Sequence, residues 1–511
     1  MFKQNVIANF LGKFWPSLLS IIAVPIYIQY LGVEAYGLVG FFVSLQALIA
    51  FLDMGLSTAA NREIALRYED PDAMEEALNI VRTLEVAYAA VATVLGLAFL
   101  LSSEWLSVHW MSAEGLSATT MMQAVVIFGI TLALRWPVAL YTGVLFGLER
   151  QVLFNILSGS IATLRVLGGI VMVVLVPDIL AFLLWQLLSA VVELLLMRVV
   201  TWRSLVGGKR AAHGAFDLGV LKKIWAFSAS ITTNSIVGSV LKQTDKFLLS
   251  GLVSLTSLGY YSVAYSAYTG LTMIPSPVAD AAFPRFAALL AQNRSEDLAR
   301  MYHKSSQYVA FLAVPAAAVV AFFSRPILRL WTRSEEVAAN AAPILTLLAI
   351  AFSLNAMMQV PLRMQLAHGI VWIALSFNAV SAVLLVPMMY ALIIRFGLQG
   401  AGIGLLVFNL LYYLIVPHIM HRHMLRAEKW SWILSDTFSF LAWGAACFGA
   451  AYWLAAGMDS PLYLLTVIAA AGLMYAAGCL LLHPLLRNAA RDLVLDNLWA
   501  RNREGGQVAR P

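Results

Sequence analysis

Long apolar runs separated by short polar segments dominate this chain. Fourteen of these runs reach the roughly 20 residues that a helix needs to cross a hydrocarbon core. They lie near residues 5–30, 35–58, 82–102, 119–146, 152–176, 179–201, 224–250, 256–280, 305–324, 341–363, 370–394, 399–417, 433–456 and 461–486. The pattern predicts an all-α polytopic membrane protein, because a helix satisfies its own backbone hydrogen bonds inside lipid.

Composition supports burial in lipid rather than a soluble fold. Of the 511 residues, 61% are hydrophobic and only 12% are charged, and the mean hydropathy is +0.82. Soluble domains carry about 25% charged residues. The net charge of +6 comes from basic residues in short loops between apolar runs, so no nucleic-acid partner is expected. The first run carries polar Asn9 and Lys13, and we expect a membrane span there rather than a cleaved signal peptide.

The distribution of Lys and Arg predicts the orientation in the membrane. Twenty-three of these residues fall in segments on one side of the predicted spans, and four fall on the other side. Basic loops stay in the cytoplasm. We therefore expect both termini in the cytoplasm of a bacterium, with the protein in its inner membrane, in contact with membrane lipids.

An internal repeat predicts two similar halves. The segment Arg62–Leu66 is followed by Glu75–Leu78, and the similar segment Arg285–Leu289 is followed by Glu296–Ala299. Chance similarity of two amphipathic helices is the alternative explanation. A true repeat in parallel orientation predicts a pseudo-two-fold axis along the membrane normal, with a site between two six-helix lobes. The predicted division is a first lobe at 1–203, a linker at 204–223, a second lobe at 224–424, two extra helices at 425–486 and a tail at 487–511.

Polar and charged side chains recur inside predicted spans, where an ionised group is costly. In the first span Asn9 and Lys13 lie one turn apart on one helix face. In the seventh span Lys242 can meet Asp245, and Lys246 follows directly. The remaining candidates, each in a different span, are Asp53, Arg135, Arg165 and Glu193.

Some of these residues have simpler explanations. Lys246 and Asp53 can extend to the membrane surface, and Arg165 can form a structural ion pair with Glu193. Lys13, Arg135 and Lys242 lie too far from the predicted span ends for that explanation. The excess of positive charge predicts a cavity that accepts an anion such as phosphate, which an arginine binds with two parallel hydrogen bonds.

Motifs for several other activities are missing. Gly207–Arg210 lacks the spacing of a nucleotide-binding loop, so ATP hydrolysis is not expected. The His418, His421 and His423 group lacks a completing set of ligands, so no metal or other cofactor is expected. The short predicted outer loops disfavour a membrane-embedded glycan polymerase or ligase. We therefore do not expect an enzyme.

Several segments of the first 310 residues match one transporter family. The more specific ones are Pro25–Tyr27, Leu31–Leu38, Leu52–Leu56 and Asn61–Glu63; the looser ones are Arg135–Pro137, Gly147–Arg150, Thr244–Lys246, Gly259–Tyr261 and Pro284–Arg285. Together they resemble Wzx-type polysaccharide or O-antigen flippases of the multidrug/oligosaccharidyl-lipid/polysaccharide (MOP) exporter superfamily. The last third is similar to the family only in its pattern of spans, and predicted spans 13 and 14 leave the lipid II flippase branch as an alternative.

The resemblance implies a function. It implies alternating access and transfer of an undecaprenyl-diphosphate-linked oligosaccharide from the inner to the outer leaflet, with polysaccharide polymerase machinery as a partner. The implied substrate-binding residues are Asn9, Lys13, Arg135, Arg165, Lys242 and Lys246, and the candidate coupling or gating residues are Asp53, Glu193 and Asp245. A drug or cation antiporter of the same superfamily is a further alternative, but its cavity would be rich in carboxylates rather than in basic groups.

Overall fold

The structure is a computed structural model. It describes residues 2–53, 55–68, 70, 73–206, 214–222, 224–225, 243–457, 460–488 and 491, and of residues 2–13 and 51 it describes the backbone alone. The described residues form helices and short connections, with a single isolated β-bridge between Ser112 and Ser254. Eleven helices in this part of the chain are long and apolar enough to cross a membrane. The predicted all-α polytopic membrane fold is therefore confirmed.

The first nine helices follow most of the predicted spans. Their bounds are α1 (Phe2–Ile49), α2 (Leu56–Ala65), α3 (Met74–Trp105), α4 (Ala118–Arg135), α5 (Val138–Gly147), α6 (Gln151–Leu175), α7 (Ile179–Val206), α8 (243–252) and α9 (Leu255–Thr272). A π-helical turn at Leu106–Trp110 extends α3. The predicted seventh span at 224–250 lies largely outside the described residues.

Two interruptions shape the N-terminal helices. At Gly32 the backbone is not helical (φ 83°, ψ 167°), so α1 comprises two helices that correspond to the first two predicted spans. The second of these spans was predicted to continue to residue 58. Instead α1 ends at Ile49, a 3-10 turn follows at Ala50–Asp53, and α2 begins after Gly55, whose φ is 72°.

The remaining nine helices begin, as α2 and α3 do, with a shorter helix followed by a long one. They are α10 (Ser276–Ala291), α11 (Ser295–Phe322), α12 (Ser324–Thr332), α13 (Glu335–Met357), α14 (Gln359–Ala367), α15 (Trp372–Phe396), α16 (Leu398–His423), α17 (Ser439–Ala455) and α18 (Pro461–Leu482). Short 3-10 and π-helical turns at Arg426–Glu428 and Trp432–Phe438 connect α16 to α17. The repeated segments identified in the sequence lie at the end of α2, before long α3, and near the end of α10, before long α11.

The chain divides into two compact units. One combines Met1–Ser266 with Trp331–Val337 and Ser381–Ala401, and the other combines Ala267–Leu330, Ala338–Val380 and Gly402–Pro511. Each unit has its own apolar core. In the first unit the core includes Ile64, Leu84, Tyr88, Trp136 and Leu140, and in the second it includes Phe286, Tyr302, Phe352, Trp432 and Phe440.

Leucines on the outer faces of the helices remain exposed. Leu101 is 82% exposed, and Leu473 and Leu481 are each 74% exposed. A run of apolar side chains left uncovered by the protein is typical of a helix face that contacts lipid, since lipid chains are as apolar as leucine.

Candidate functional site

Arg135 lies at a break in a membrane span. It is the last residue of α4, and Trp136 and Pro137 separate it from α5. Proline lacks the amide hydrogen that would continue the helical ladder, so it ends α4 at this depth. The structure places the charged side chain of Arg135 directly beside this break.

The side chains of Arg135, Arg165 and Glu193 form one cluster across α4, α6 and α7, which we call the Arg-Glu-Arg cluster. Nε of Arg135 lies 3.5 Å from Oε2 of Glu193, and Nη1 of Arg165 lies 3.9 Å from the same oxygen. The side chains of Arg135 and Glu193 are each 14% exposed, and that of Arg165 is 28% exposed. Two guanidinium groups thus share one carboxylate, and the cluster has a net positive charge.

The contacts within the cluster are ionic rather than well-formed hydrogen bonds. Among the described residues, Nε and Nη2 of Arg135 and Oε2 of Glu193 are buried atoms without a hydrogen-bond partner. Leaving a buried donor unpaired costs about 1–3 kcal/mol, and more for a charged group. The cluster therefore has spare donor capacity, and an anion of suitable geometry could use it.

Neighbouring polar contacts fix the helix that carries Arg165. The indole of Trp185, on α7, donates to the carbonyl oxygen of Arg165 at 3.1 Å. Helix α1 contacts α6 as well: Trp15 Nε1 donates to Thr163 Oγ1 at 2.8 Å, and the Tyr27 hydroxyl donates to the carbonyl oxygen of Val166 at 3.2 Å. These bonds hold the backbone of α6 in place beside both α1 and α7.

Asp53 occupies a separate position, at the end of the 3-10 turn that precedes α2. Its Oδ2 accepts a hydrogen bond from Ser57 Oγ at 2.7 Å, and its Oδ1 accepts one from the Tyr88 hydroxyl. A negative charge just before the N-terminus of α2 is favourable for the helix dipole. The predicted coupling role of Asp53 stays a prediction, since these contacts alone account for a half-buried carboxylate here.

Asp245 and Lys246 are both buried on α8 and contact different tyrosines of α9. Asp245 is fully buried and accepts a hydrogen bond from the Tyr261 hydroxyl, whereas Nζ of Lys246 lies 3.5 Å from the centroid of the Tyr265 ring. The Lys246 ammonium group therefore makes a cation–π contact with α9 instead of extending to the membrane surface.

Three of the predicted site residues cannot be placed. The side chains of Asn9 and Lys13 lie outside the described part of the structure, as does the whole of Lys242. Of the nine predicted residues, the structure brings Arg135, Arg165 and Glu193 together. Asp245 and Lys246, which are consecutive in the sequence, both contact α9.

Comparison with known proteins places the chain in a family. A family model described as "Polysaccharide biosynthesis protein" matches residues 2–290, more than half of the chain. The chain belongs to this family. A second model, MatE, matches residues 231–391.

The proteins to which this chain is similar include a transporter, a flippase and a drug transporter. A putative O-antigen transporter from Shigella flexneri is 23% identical over 407 residues, which cover 78% of this chain and 93% of that protein. The lipid II flippase MurJ in an inward closed conformation superposes with a TM-score of 0.75 at 12% identity, over 96% of this chain and 100% of the other. An inward-facing multidrug resistance MATE family transporter of the MOP superfamily gives a TM-score of 0.63 at 17% identity, over 86% and 96%.

These comparisons confirm the predicted resemblance to a Wzx-type flippase of the MOP superfamily. The fold of this polysaccharide biosynthesis protein is that of the MOP transporters, and eleven of its described helices are long and apolar enough to cross a membrane. Within this fold, the Arg-Glu-Arg cluster is a candidate site for substrate recognition.

Two charged clusters of this family member are not among the residues predicted from the sequence. Glu85, within the third predicted span, lies at the centre of one: it contacts Arg82, Arg198, Tyr141 and Trp202. His303 contacts Asp436 and Glu428 in the other. The available signal was an acidic residue inside a predicted span, Glu85 in the third and Asp436 in the thirteenth. Apart from Arg82, the partners of Glu85 named above and His303, the partner of Asp436, lie more than 50 residues away along the chain.

Proposed function

We propose that this protein is a flippase that carries an undecaprenyl-diphosphate-linked oligosaccharide from the cytoplasmic to the periplasmic leaflet of the bacterial inner membrane. Family membership and the similarity to a putative O-antigen transporter support transport of a lipid-linked glycan. The site chemistry supports an anionic headgroup. Alternating access between two six-helix lobes, divided as in the sequence analysis, is the mechanism we propose.

The observation that carries the proposal is the incomplete pairing of Arg135. Its guanidinium group is buried and keeps two nitrogen atoms without hydrogen-bond partners in the described structure. A diphosphate supplies several charged acceptor oxygens, and a guanidinium group can bind two of them in parallel. Binding would also relieve the repulsion between Arg135 and Arg165, which now share a single carboxylate.

Glu193 has a specific role in this mechanism. In the absence of substrate it neutralises part of the charge of the two arginines, which would otherwise be costly to bury. When the diphosphate arrives, it competes with Glu193 for both guanidinium groups. A ligand shifts a conformational equilibrium only by its differential affinity for the two states, so exchange of Glu193 for phosphate oxygens can provide that difference.

The remaining predicted residues extend the same proposal. We propose that Asn9, Lys13, Lys242 and Lys246 contribute further polar or cationic contacts along the path of the headgroup. Asp53 and Asp245 are, with Glu193, the proposed coupling or gating groups. The polyprenyl tail stays in the bilayer, and polysaccharide polymerase machinery receives the product on the outer side.

The experiment that tests this function is complementation of a deletion strain. Wild type should restore export and prevent accumulation of lipid-linked oligosaccharide, whereas Arg135→Ala and Arg165→Ala should leave that intermediate at the inner leaflet. Arg135→Lys should rescue poorly, because an ammonium group cannot bind two oxygens in a planar fork. The matched control is Arg203→Ala at the exposed end of α7, which should rescue fully.

Two outcomes would contradict the proposal. Normal glycan export in the deletion strain would exclude the flippase function, and a changed susceptibility to cationic drugs in that strain would then favour an exporter of the antiporter type. Full rescue by both alanine variants, at wild-type expression, would remove the Arg-Glu-Arg cluster from substrate recognition.

A further inference from the structure

A second buried charge cluster lies in the other compact unit. Its centre is His303 on α11. Nε2 of His303 lies 2.9 Å from Oε2 of Glu428, and Nδ1 is hydrogen-bonded to Oδ2 of Asp436. Glu428 belongs to the 3-10 turn that follows α16, and Asp436 belongs to the π-helical turn that precedes α17. We call these three residues the His303 cluster.

The two contacts of His303 fix the number of protons in the cluster. A carboxylate oxygen can only accept, and a neutral imidazole has one nitrogen that donates and one that accepts. Both ring nitrogens can hydrogen-bond to carboxylates only if the cluster holds one proton more than a neutral imidazole and two carboxylates. The observed arrangement is therefore that of an imidazolium between two carboxylates, or its equivalent with the proton on a carboxyl group.

Asp436 is held in place by contacts on both of its carboxylate oxygens. Its side chain is 1% exposed, and its second oxygen accepts a hydrogen bond from Nε2 of Gln307 at 2.8 Å. The π-helical turn that carries Asp436 is itself anchored to α11, because the indole of Trp432 donates to Ser306 Oγ at 3.1 Å. Turns of this kind widen a helix locally and are frequent at functional sites.

The contact between Glu428 and His303 is the one that can break. Its side chain is 31% exposed, and the turn that carries it is only three residues long. If the extra proton leaves, the pair of His303 Nε2 and Glu428 becomes two acceptors that face each other, and this contact must break. The exposed carboxylate of Glu428 also provides the route by which the proton reaches water.

Other titratable groups near the His303 cluster have different partners. On α16, His421 donates through Nδ1 to the carbonyl oxygen of Pro417 at 2.8 Å, which leaves Nε2 to accept from the Tyr302 hydroxyl at 3.4 Å. Lys429 follows Glu428 in the connection to α17, and its Nζ lies 4.4 Å from the centroid of the Trp430 ring. Lys304 is next to His303 on α11 and lies near the Tyr308 ring.

The helices that pack against α11 add few further charges. Asp280 on α10 and Arg363 on α14 are bonded to each other at 2.6 Å, and α10 also carries Arg285. Neither α17 nor α18 contains an Asp, Glu, Lys, Arg or His residue. Of the charged side chains that the structure describes here, Glu428 and Asp436 are the ones bonded to the His303 ring.

We propose that the His303 cluster is a proton-binding site and that its proton couples the transport cycle to the proton gradient. The coupling part rests on the proposed flippase function, whereas proton binding does not. In the protonated state Glu428 is held to α11. On release, the proton leaves the imidazolium through Glu428 to water, and neutral His303 keeps its bond to Asp436 while the turn at Arg426–Glu428 is freed to move.

Nuclear magnetic resonance of the full-length protein in lipid nanodiscs, with ¹⁵N-labelled histidine, tests the proton site directly. The signal that disappears in His303→Gln identifies the residue. We expect both of its nitrogens to be protonated at the acidic end of a titration between about pH 5 and pH 9, and one nitrogen to lose its proton as the pH rises. Glu428→Gln should change this titration, whereas Glu296→Gln, at the exposed start of α11, should not. If the chemical shifts of both His303 nitrogens stayed constant throughout this range, no proton would be exchanged at the cluster and the proposal would be overturned.

Transport by reconstituted protein tests the coupling. Proteoliposomes containing lipid-linked oligosaccharide should show faster transfer under an imposed pH gradient, and His303→Gln and Glu428→Gln should lose that response. The control His423→Gln, an exposed residue of α16, should keep it. A merely structural cluster would change protein yield or thermal stability but not the response to the gradient. Unchanged gradient response in both cluster variants would overturn the coupling; absence of transfer by wild type would instead refute the flippase function, while the magnetic resonance result still decides the proton site.

Discussion

At the scale of single residues, Glu85 shows how a buried charge is satisfied inside a membrane protein. One of its oxygens accepts hydrogen bonds from Trp202, Tyr141 and Arg198 at 2.7, 2.8 and 3.2 Å, and the other pairs with Arg82 at 3.0 Å. Glu85→Gln removes the charge and replaces one acceptor by a donor. We expect a loss of about 1–3 kcal/mol in stability, since buried polar partners lose their acceptor.

The measurement is the thermal unfolding midpoint of the detergent-solubilised protein, followed by tryptophan fluorescence. Glu76→Gln is the control on the same helix, because its side chain is 69% exposed and pairs with Arg67 near the surface. Exposed pairs contribute about 0–1 kcal/mol, so the control should have nearly the wild-type midpoint. Equal midpoints for the two variants would mean that the network around Glu85 adds little stability.

At the scale of helices, α1 and α9 approach each other through glycines. A Cβ atom on Gly37 would lie 2.0 Å from the carbonyl oxygen of Leu255, and one on Gly259 would lie 2.2 Å from that of Val33. Both obstacles are backbone atoms, which cannot rotate away. We therefore expect Gly37→Ala and Gly259→Ala each to separate the helices, lower the thermal midpoint and reduce transport in the complementation assay.

Glycine substitution in a helix has a second effect that needs a control. Alanine is a better helix former than glycine by about 1 kcal/mol, so a substitution without a clash should be neutral or stabilising. Gly159 on α6 offers that comparison, because no atom lies within 4 Å of its added Cβ atom. If Gly37→Ala and Gly159→Ala gave the same midpoint, close packing of α1 against α9 would not be important for stability.

The helices were largely predictable from sequence, whereas the contacts between charged residues were not. Apolar runs are local signals, and they indicated the spans, whereas the span predicted at 119–146 is broken at Trp136 and Pro137. The pairing of Arg135 with Glu193 depends on how α4 packs against α7. His303 and Asp436 are 133 residues apart, and no local periodicity relates them. A buried charge therefore indicates that a partner exists but not which residue it is.

At the scale of the whole molecule, the two halves of the chain use similar elements for different chemistry. The helices α4 and α5, which are separated by a short break, correspond in chain order to α13 and α14. Each of these two pairs is followed by two long helices. In the first half the break carries Arg135, which pairs with Glu193 of α7. Near the second break, Asn355 donates to Asn409 of α16 at 2.8 Å. The first half thus contains the Arg-Glu-Arg cluster, and the second half contains the His303 cluster.

The orientation of the whole chain in the membrane can be measured with introduced cysteines. Both native cysteines, Cys447 and Cys479, are buried, so background labelling by a membrane-impermeant maleimide should be low. The excess of basic residues on one side predicts that Gln292 faces the cytoplasm and that Ala113 faces the periplasm. Both positions are exposed in loops between helices.

We expect Ala113→Cys to be labelled in spheroplasts without permeabilisation and Gln292→Cys to be labelled only after the membrane is opened. The predicted number of spans between these residues is odd, so they must lie on opposite sides. The reverse labelling pattern would mean that the protein has the opposite orientation in the membrane. That orientation would contradict the proposed direction of transport, from the cytoplasmic to the periplasmic leaflet. Labelling of both positions from one side would mean that a helix between them does not cross the membrane. The expected pattern, in contrast, would orient the Arg-Glu-Arg cluster and the His303 cluster within the bilayer for the transport experiments.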